Sequence, residues 1–224
     1  MKDKQTDPEQ LILESWQINA KPWIDVLSEG RILSRKLVTD QAIIDAVLET
    51  GPETVLDIGC GEGWLVRALT ETGISAIGVD GVAALIQSAE EQAEGRFMQL
   101  AYDEISAATI TDRFDAIVCN FSLLGGDSVE QLFSELPGLL NGRGYLIVQT
   151  LHPDNFPGPE GWREGTWAGI EGDFNQPAPW YYRTLSSWLS LFTRSGFELI
   201  SQITPLHPES GLPASLILVG RYSG

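Results

Sequence analysis

Two aspartates and three glycines carry the first chemical signal in this chain. Asp57 ends the apolar run Val55-Leu56-Asp57-Ile58, and Gly59, Gly61 and Gly63 alternate directly after it in VLDIGCGEGWL, residues 55–65. Asp80 closes the next apolar run, Ala76–Val79, 23 residues after Asp57. A glycine turn between strand and helix lets backbone N–H groups approach a ligand and directs the positive end of the helix at it. The spacing narrows the ligand. A dinucleotide fingerprint, G-x-G-x-x-G, would place its third glycine on Trp64, and no Gly-Lys-Ser/Thr follows to hold a nucleotide phosphate. A carboxylate ahead of the first glycine repels pyrophosphate and accepts hydrogen bonds from an ammonium. An acid at the second strand end can accept from both hydroxyls of a ribose diol. The ligand expected is therefore zwitterionic and carries a ribose. The bland alternative for Asp80 is a turn aspartate before Gly81.

These residues need a frame. Short apolar strands are expected at 54–58, 75–79, 96–99, 114–119 and 144–149. Helices are expected at 62–72, 82–94 and 128–140, with a helical turn near 104–108. The alternation argues for a parallel sheet covered on both faces, on which ligands bind beyond the carboxyl ends of the strands. Asp57, Asp80, Tyr102-Asp103, Asn120-Phe121 and His152 all fall at or just after such ends.

Ahead of the first strand, Asp7-Pro8 predicts a helix start, with Leu11, Ile12, Trp16 and Ile18 apolar. Pro22 opens a second expected helix carrying Trp23, Val26 and Leu27. Thr39 is the expected cap of a third, which Gly51-Pro52 stops. Behind the fifth strand, Leu151–Arg183 is rich in proline and glycine and carries Phe156, Trp162, Trp167, Phe174, Trp180, Tyr181 and Tyr182. A loop this long is functional or disordered, and so many aromatics disfavour disorder. It reads as a lid or substrate-binding insertion, or else as an aromatic mini-core or subunit contact. A helix at 184–195 and two strands, FELISQI and SLILVGRY, complete the chain.

DIGCGEG, followed by Gly78-Val79-Asp80, resembles the first two motifs of class I S-adenosylmethionine (SAM)-dependent methyltransferases. The segment from Trp188 through SGFEL is similar to the late helix and strand of their small-molecule members. The resemblance covers about residues 50–222 and matches the aromatic insertion least. It implies a Rossmann-like α/β fold: a seven-stranded sheet, mostly parallel with an antiparallel C-terminal hairpin, and helices on both faces. The chain is then one domain, 1–224. It comprises an N-terminal helical cap (1–50), a SAM-binding core (51–150), the aromatic insertion (151–183), and a C-terminal helix and hairpin (184–224). The cofactor set implied is Asp57, Gly59, Cys60, Gly61, Gly63, Asp80, Gly81, Tyr102, Asp103, Asn120 and Phe121. In it, Asp103 accepts from the adenine amino group or merely caps a short helix, and Tyr102 flanks the ring. Asn120 offers an acceptor to the amino group, and Phe121 lines the pocket.

N-terminal helices in such enzymes cover the cofactor and shape the substrate site, which makes Trp16, Asn19, Trp23 and Arg35 candidates. Arg35 would pair with the SAM carboxylate or is a solvated charge. The tryptophans would touch substrate or simply pack. Trp162, Trp167, Trp180, Tyr181 and Tyr182 would form aromatic walls around an acceptor. His152 is the candidate general base, or a loop histidine bonding backbone; Tyr181, Tyr182, Asp154 and Glu160 are weaker candidates, and His207 looks structural. Ser122-Leu123 after Asn120-Phe121 departs from the pattern of nucleobase amino-methyltransferases.

Composition sets the remaining bounds. The 224 residues are 43% hydrophobic, enough for one α/β domain, and the net charge is −17. Such a surface repels nucleic acid and anionic membranes. The start of the chain carries no signal-peptide pattern, and Cys60 and Cys119 have no metal-ligand spacing. Both observations lead to the expectation of a reduced, cytoplasmic protein. No metal site and no particular oligomeric state is expected. The expected function is SAM-dependent transfer of a methyl group to O, N or C of a small molecule. The alternatives are a protein methyltransferase and a non-catalytic SAM-binding module; a nicotinamide-dependent oxidoreductase is disfavoured by the glycine spacing.

Overall fold

A computed structural model describes residues 7–92 and 95–224. The five expected strands form as β1 (Thr54–Ile58), β2 (Ser75–Asp80), β3 (Arg96–Gln99), β4 (Phe114–Asn120) and β5 (Leu140–Thr150). A hairpin, β6 (Gly161–Arg163) and β7 (Trp180–Tyr182), precedes the last strands, β8 (Phe197–Ile203) and β9 (Leu216–Tyr222). Seven strands make one sheet in the order β3-β2-β1-β4-β5-β9-β8. β1 to β5 pair in parallel, whereas β9 runs antiparallel to both β5 and β8. The strand order reverses between β1 and β4, so their carboxyl ends flank the crevice where such sheets bind ligands.

Both faces are apolar because both are covered. Leu56, Ile58, Ile117, Cys119, Leu146 and Val148 pack under α5 (Asp127–Glu135) and α6 (Leu185–Arg194). Their alternates Val55, Ala116, Val118 and Ile147 pack under α2 (Asp40–Leu48) and α3 (Trp64–Glu71). This period-2 division is what a two-sided strand dictates.

The N-terminal region departs from expectation. Instead of two helices parted at Pro22, α1 runs unbroken from Pro8 to Ser28 with Pro22 inside it. Asp7 caps it as foreseen, its Oδ1 accepting from Glu9 N at 3.0 Å. A proline within a helix forfeits one N–H bond and costs about 3 kcal/mol. Burial offsets this: α1 packs Leu13, Trp16, Ala20, Trp23 and Ile24 against Val82 and Leu85, the latter in α4 (Ala83–Gln92). Ile18, expected on the apolar face, is 48% exposed. Thr39 ends a π-helical turn, Arg35–Thr39, and makes no side-chain cap bond to α2. The expected end of α4 at 93–94 lies outside the described residues.

The insertion is built rather than loose. Trp162 faces Tyr181 across the β6–β7 pair. Beyond it, buried Asn19 of α1 accepts from Asn175 N at 2.8 Å and donates to Asn175 O at 2.6 Å. Ser15 Oγ donates to Gln176 O at 2.6 Å. Trp167 stacks on Phe174 and meets Trp16 edge-on. Helix α1 and the insertion therefore form one continuous cover.

Candidate active site

The glycine turn is pinned to the end of β2. Gly59 N and Cys60 N both donate to Val79 O, at 2.8 and 3.0 Å. Asp80 grips the turn with one oxygen, accepting from Gly61 N at 2.9 Å, and its own loop with the other, accepting from Val82 N at 2.9 Å. Gly59, Gly61 and Gly63 have φ of +74°, +58° and +81°, the left-handed region that disfavours side chains. Gly63 is the left-handed residue from which α3 departs, and no side chain caps that helix start. The first N–H groups of α3 therefore have no side-chain acceptor.

The electrostatics of the turn are acidic and dry. Asp57 is 1% exposed, and its Oδ1 has no hydrogen-bond donor. Burial, then the neighbouring Asp80 and Glu62, push its pKa up to about 8. Asp80 is raised by burial too, with the Val82 and Gly61 N–H groups pulling the other way. Buried Glu62 is paired with Arg67, which bonds both its carboxylate and its carbonyl. Burial drives the thiols of Cys60 and Cys119 upward, so neither is a ready nucleophile.

β4 brings the second half. Asn120 Oδ1 is another buried acceptor without a donor. Phe121 adopts φ +54°, a strained conformation for a non-glycine residue, and its N–H donates to Gln149 O at 2.8 Å. Ser122 then turns back, its Oγ donating to Ile58 O at 2.7 Å. Tyr102 Oη donates to Ser122 O at 2.7 Å, and burial raises its pKa. The two unpaired acceptors, the Asp80 carboxylate and the glycine turn form an acceptor-rich cleft. They fit a ligand presenting an ammonium and a diol, and repel a pyrophosphate.

Other expected residues have mixed placements. Gly81 lies under α1: a Cβ there would come 3.2 Å from Leu13 Cδ1 and 3.5 Å from Ala101 Cα. Asp103 is exposed and caps nothing; Glu104 instead accepts from Ala101 N at 2.8 Å. Arg35 pairs with Asp40 at 2.9 Å and lies over Trp64, 4.6 Å from its ring centre. It lines a cavity of about 150 Å³ with Glu62, Trp64 and Arg67, adjoining the turn rather than reaching Asp57. Trp16 and Trp23 pack edge to face, 5.2 Å apart. Trp180 packs between Phe156 and Tyr182, and Trp162 against Tyr181.

His152 has the contacts of the second of its two expected roles, a loop histidine bonding backbone. Its Nδ1 accepts from Asp154 N at 3.3 Å, its Nε2 lies 3.4 Å from Thr204 Oγ1, and the residue is 7% exposed. The ring caps the turn Pro153–Asn155 and points to the β8 side of the sheet, away from the β1–β4 crevice. Replacing it with alanine is expected to cost about 1–2 kcal/mol of stability. S-adenosylhomocysteine affinity should not change; thermal melts and calorimetric titration of His152→Ala check both.

Four contributors escaped the sequence reading: Glu9, Glu62, Ser122 and Arg183. For Glu62, the Glu-x-x-x-x-Arg spacing of Glu62 and Arg67 at a helix start was a usable signal. The contacts of the other three span 57 to 119 positions and left none.

A doubly wound sheet with an acid-flanked glycine turn at its switch point defines a Rossmann-like domain with a nucleoside-type crevice. Residues 35–202 match the family model described as a methyltransferase domain, and the chain belongs to that family. Among curated relatives, a ubiquinone biosynthesis O-methyltransferase of Methylococcus capsulatus is 30% identical over 111 residues, 48% of this chain and 47% of that protein. The match thus spans about half the length of such relatives. Among solved structures, the magnesium protoporphyrin IX methyltransferase of Synechocystis, with S-adenosylhomocysteine bound, superposes with a TM-score of 0.68. It covers 97% of this chain and 100% of that one at 16% identity. The 1,6-didemethyltoxoflavin-N1-methyltransferase of Burkholderia thailandensis superposes with a TM-score of 0.64 over 100% of this chain and 94% of that one, at 18% identity.

Proposed function

We propose that this chain is a SAM-dependent methyltransferase acting on a small-molecule acceptor. The observation that carries the reading is the pair of donor-less buried acceptors, Asp57 Oδ1 and Asn120 Oδ1, beside the Asp80 carboxylate. Bound there, SAM would supply an electrophilic methyl group on a sulfonium. Asp57 and Asn120 would accept from its ammonium and Asp80 from its ribose hydroxyls. Asp103 would reach the adenine edge from the surface, and Phe121 and Tyr102 would flank the ring.

The protein's own contribution is placement and dryness, because in-line transfer needs aligned reactants and excluded water; an O–H or N–H acceptor would in addition give up its proton to a base or to water. The cover of α1 and residues 151–183 would exclude water, and Trp162, Trp167, Trp180, Tyr181 and Tyr182 favour a planar or apolar acceptor. With net charge −17, nucleic acid is a poor partner. Among the described residues no helix is long and apolar enough to cross a membrane. We place the protein in the cytoplasm. A relative named for ubiquinone biosynthesis and a structural neighbour named for 1,6-didemethyltoxoflavin support a small acceptor over a peptide.

Calorimetric titration of S-adenosylhomocysteine tests the reading. The wild type should bind, and Asp80→Ala should weaken binding by about a hundredfold, because two hydroxyl contacts and the Gly61 anchor go together. A wild type that ignores S-adenosylhomocysteine but binds a nicotinamide dinucleotide would overturn it.

A further inference from the structure

We propose that Glu9 and Arg183 are positioning residues that grip one peptide group, Gly125–Gly126, from opposite sides and so couple the cover to the cofactor side of the site. The proposal rests on the reading of the β1–β4 crevice as a cofactor site. The peptide's carbonyl, Gly125 O, accepts from Arg183 Nη1 at 2.7 Å. Its N–H, on Gly126, donates to Glu9 Oε1 at 2.8 Å. Arg183 Nη2 also donates to Gly126 O at 2.7 Å, and Glu9 takes Ser128 Oγ at 2.6 Å and Ser128 N at 3.3 Å. An anion and a cation thus meet through a peptide plane instead of touching. Each polarises the amide in the sense that strengthens the other's bond.

Both anchors are themselves held. Arg183 is 3% exposed and lies over the rings of Tyr181 and Trp188, 4.8 and 5.1 Å from their centres. Glu9 sits in the first turn of α1. The clasp closes tightly over its peptide: a Cβ on Gly125 would lie 2.1 Å from Ser128 Oγ and 2.5 Å from Glu9 Oε2, so a side chain there would push both off their partners. The same loop is fixed upstream, where Leu124 O accepts from Tyr181 N at 2.7 Å and Ser122 holds Ile58 O. Four covalent steps therefore join the clasp to the residue that sets the glycine turn. Loosening Glu9 frees the start of α1, loosening Arg183 frees the return of the insertion, and either change reaches the turn through residues 121–126.

A double-mutant cycle with Glu9→Ala, Arg183→Met and the pair tests this. Release of S-adenosylhomocysteine is followed by tryptophan fluorescence, and amide exchange is followed over residues 8–28 and 121–127. Each single change should speed release about tenfold, and the double should also speed it about tenfold, because either loss disables the shared peptide. Glu9→Gln, which keeps an acceptor for Gly126 N–H, should release more slowly than Glu9→Ala. Effects that multiply to about a hundredfold, or release unchanged from wild type, would overturn the proposal. If the wild type binds no S-adenosylhomocysteine, the functional reading falls and the exchange arm decides the clasp alone: protection over 121–127 lost equally in single and double variants supports it, independent losses refute it. Arg183→Lys replaces Arg183→Met in the cycle should the latter fail to fold.

Discussion

Asp57→Asn is expected to weaken S-adenosylhomocysteine binding by at least about a hundredfold and, at the same time, to raise the melting temperature of the free protein at pH 7 and above. The two effects share one cause. Asp57 is 1% exposed, and its Oδ1 receives no donor. Its pKa is lifted from 3.8 to about 8, first by burial and then by Asp80 and Glu62. Between those values the folded protein holds a proton that the unfolded chain has released. Stability contributed by that proton is complete below pH ~4 and is lost as pH rises, by up to about 1.4 kcal/mol per unit, until it levels above pH ~8. Asparagine cannot ionise and removes that slope. A ligand ammonium requires the ionised carboxylate, so binding expels the proton, and wild-type affinity should climb with pH up to about 8. Melts from pH 5 to 9, with titrations in buffers of different ionisation enthalpy, check slope and proton count together. An Asp57→Asn protein that melts and binds like wild type would sink the assignment of Asp57.

The same residue shows what could be read in advance. Asp57 and Asp80 were legible because strand ends and glycine spacing are local patterns. The alternation of Val55 with Leu56, and of Ala116 with Ile117, announces a sheet buried on both faces. The insertion was legible by composition, but its pairing of Trp162 with Tyr181 was not, since no turn signal joins strands 16 residues apart. The unbroken α1 was hidden because Pro22 is a sound local stop; contacts with Val82 and Leu85, far along the chain, override it. The choice between the two readings of His152 was not legible for a related reason. Position after a parallel strand says that a side chain is near the carboxyl edge, not which neighbour it faces. Here β9 and β8 lie beyond β5, and Thr204 takes the ring. Glu9 and Arg183 act through one peptide whose neighbours lie 117 and 58 positions away, a relation sequence spacing does not encode.

Gly59→Ala should cost about 3–5 kcal/mol and remove S-adenosylhomocysteine binding with it. Two penalties add. Gly59 holds φ +74°, where an L side chain is strained. A Cβ there would also lie 2.2 Å from Ser122 Cβ, too close to be relieved by a rotamer change. Relief has to come from backbone movement at Ser122 or Gly59, and both positions are tied. Ser122 Oγ donates to Ile58 O, Ser122 O accepts from Tyr102, and Gly59 N donates to Val79 O. Moving Ser122 shifts Phe121 and Asn120; moving Gly59 shifts Gly61 off Asp80. Both halves of the crevice are therefore displaced by one methyl group. The double variant Gly59→Ala, Ser122→Gly separates the penalties. It deletes the clash and leaves the strained φ, so it should regain about half of the lost stability in urea denaturation, although Ser122→Gly alone is destabilising. Such a sign reversal is the mark of direct contact between the two sites. If the double variant is instead as unstable as the sum of its parts, Gly59 is required for its backbone conformation alone, and the close approach of β1 and β4 is not what sets the turn.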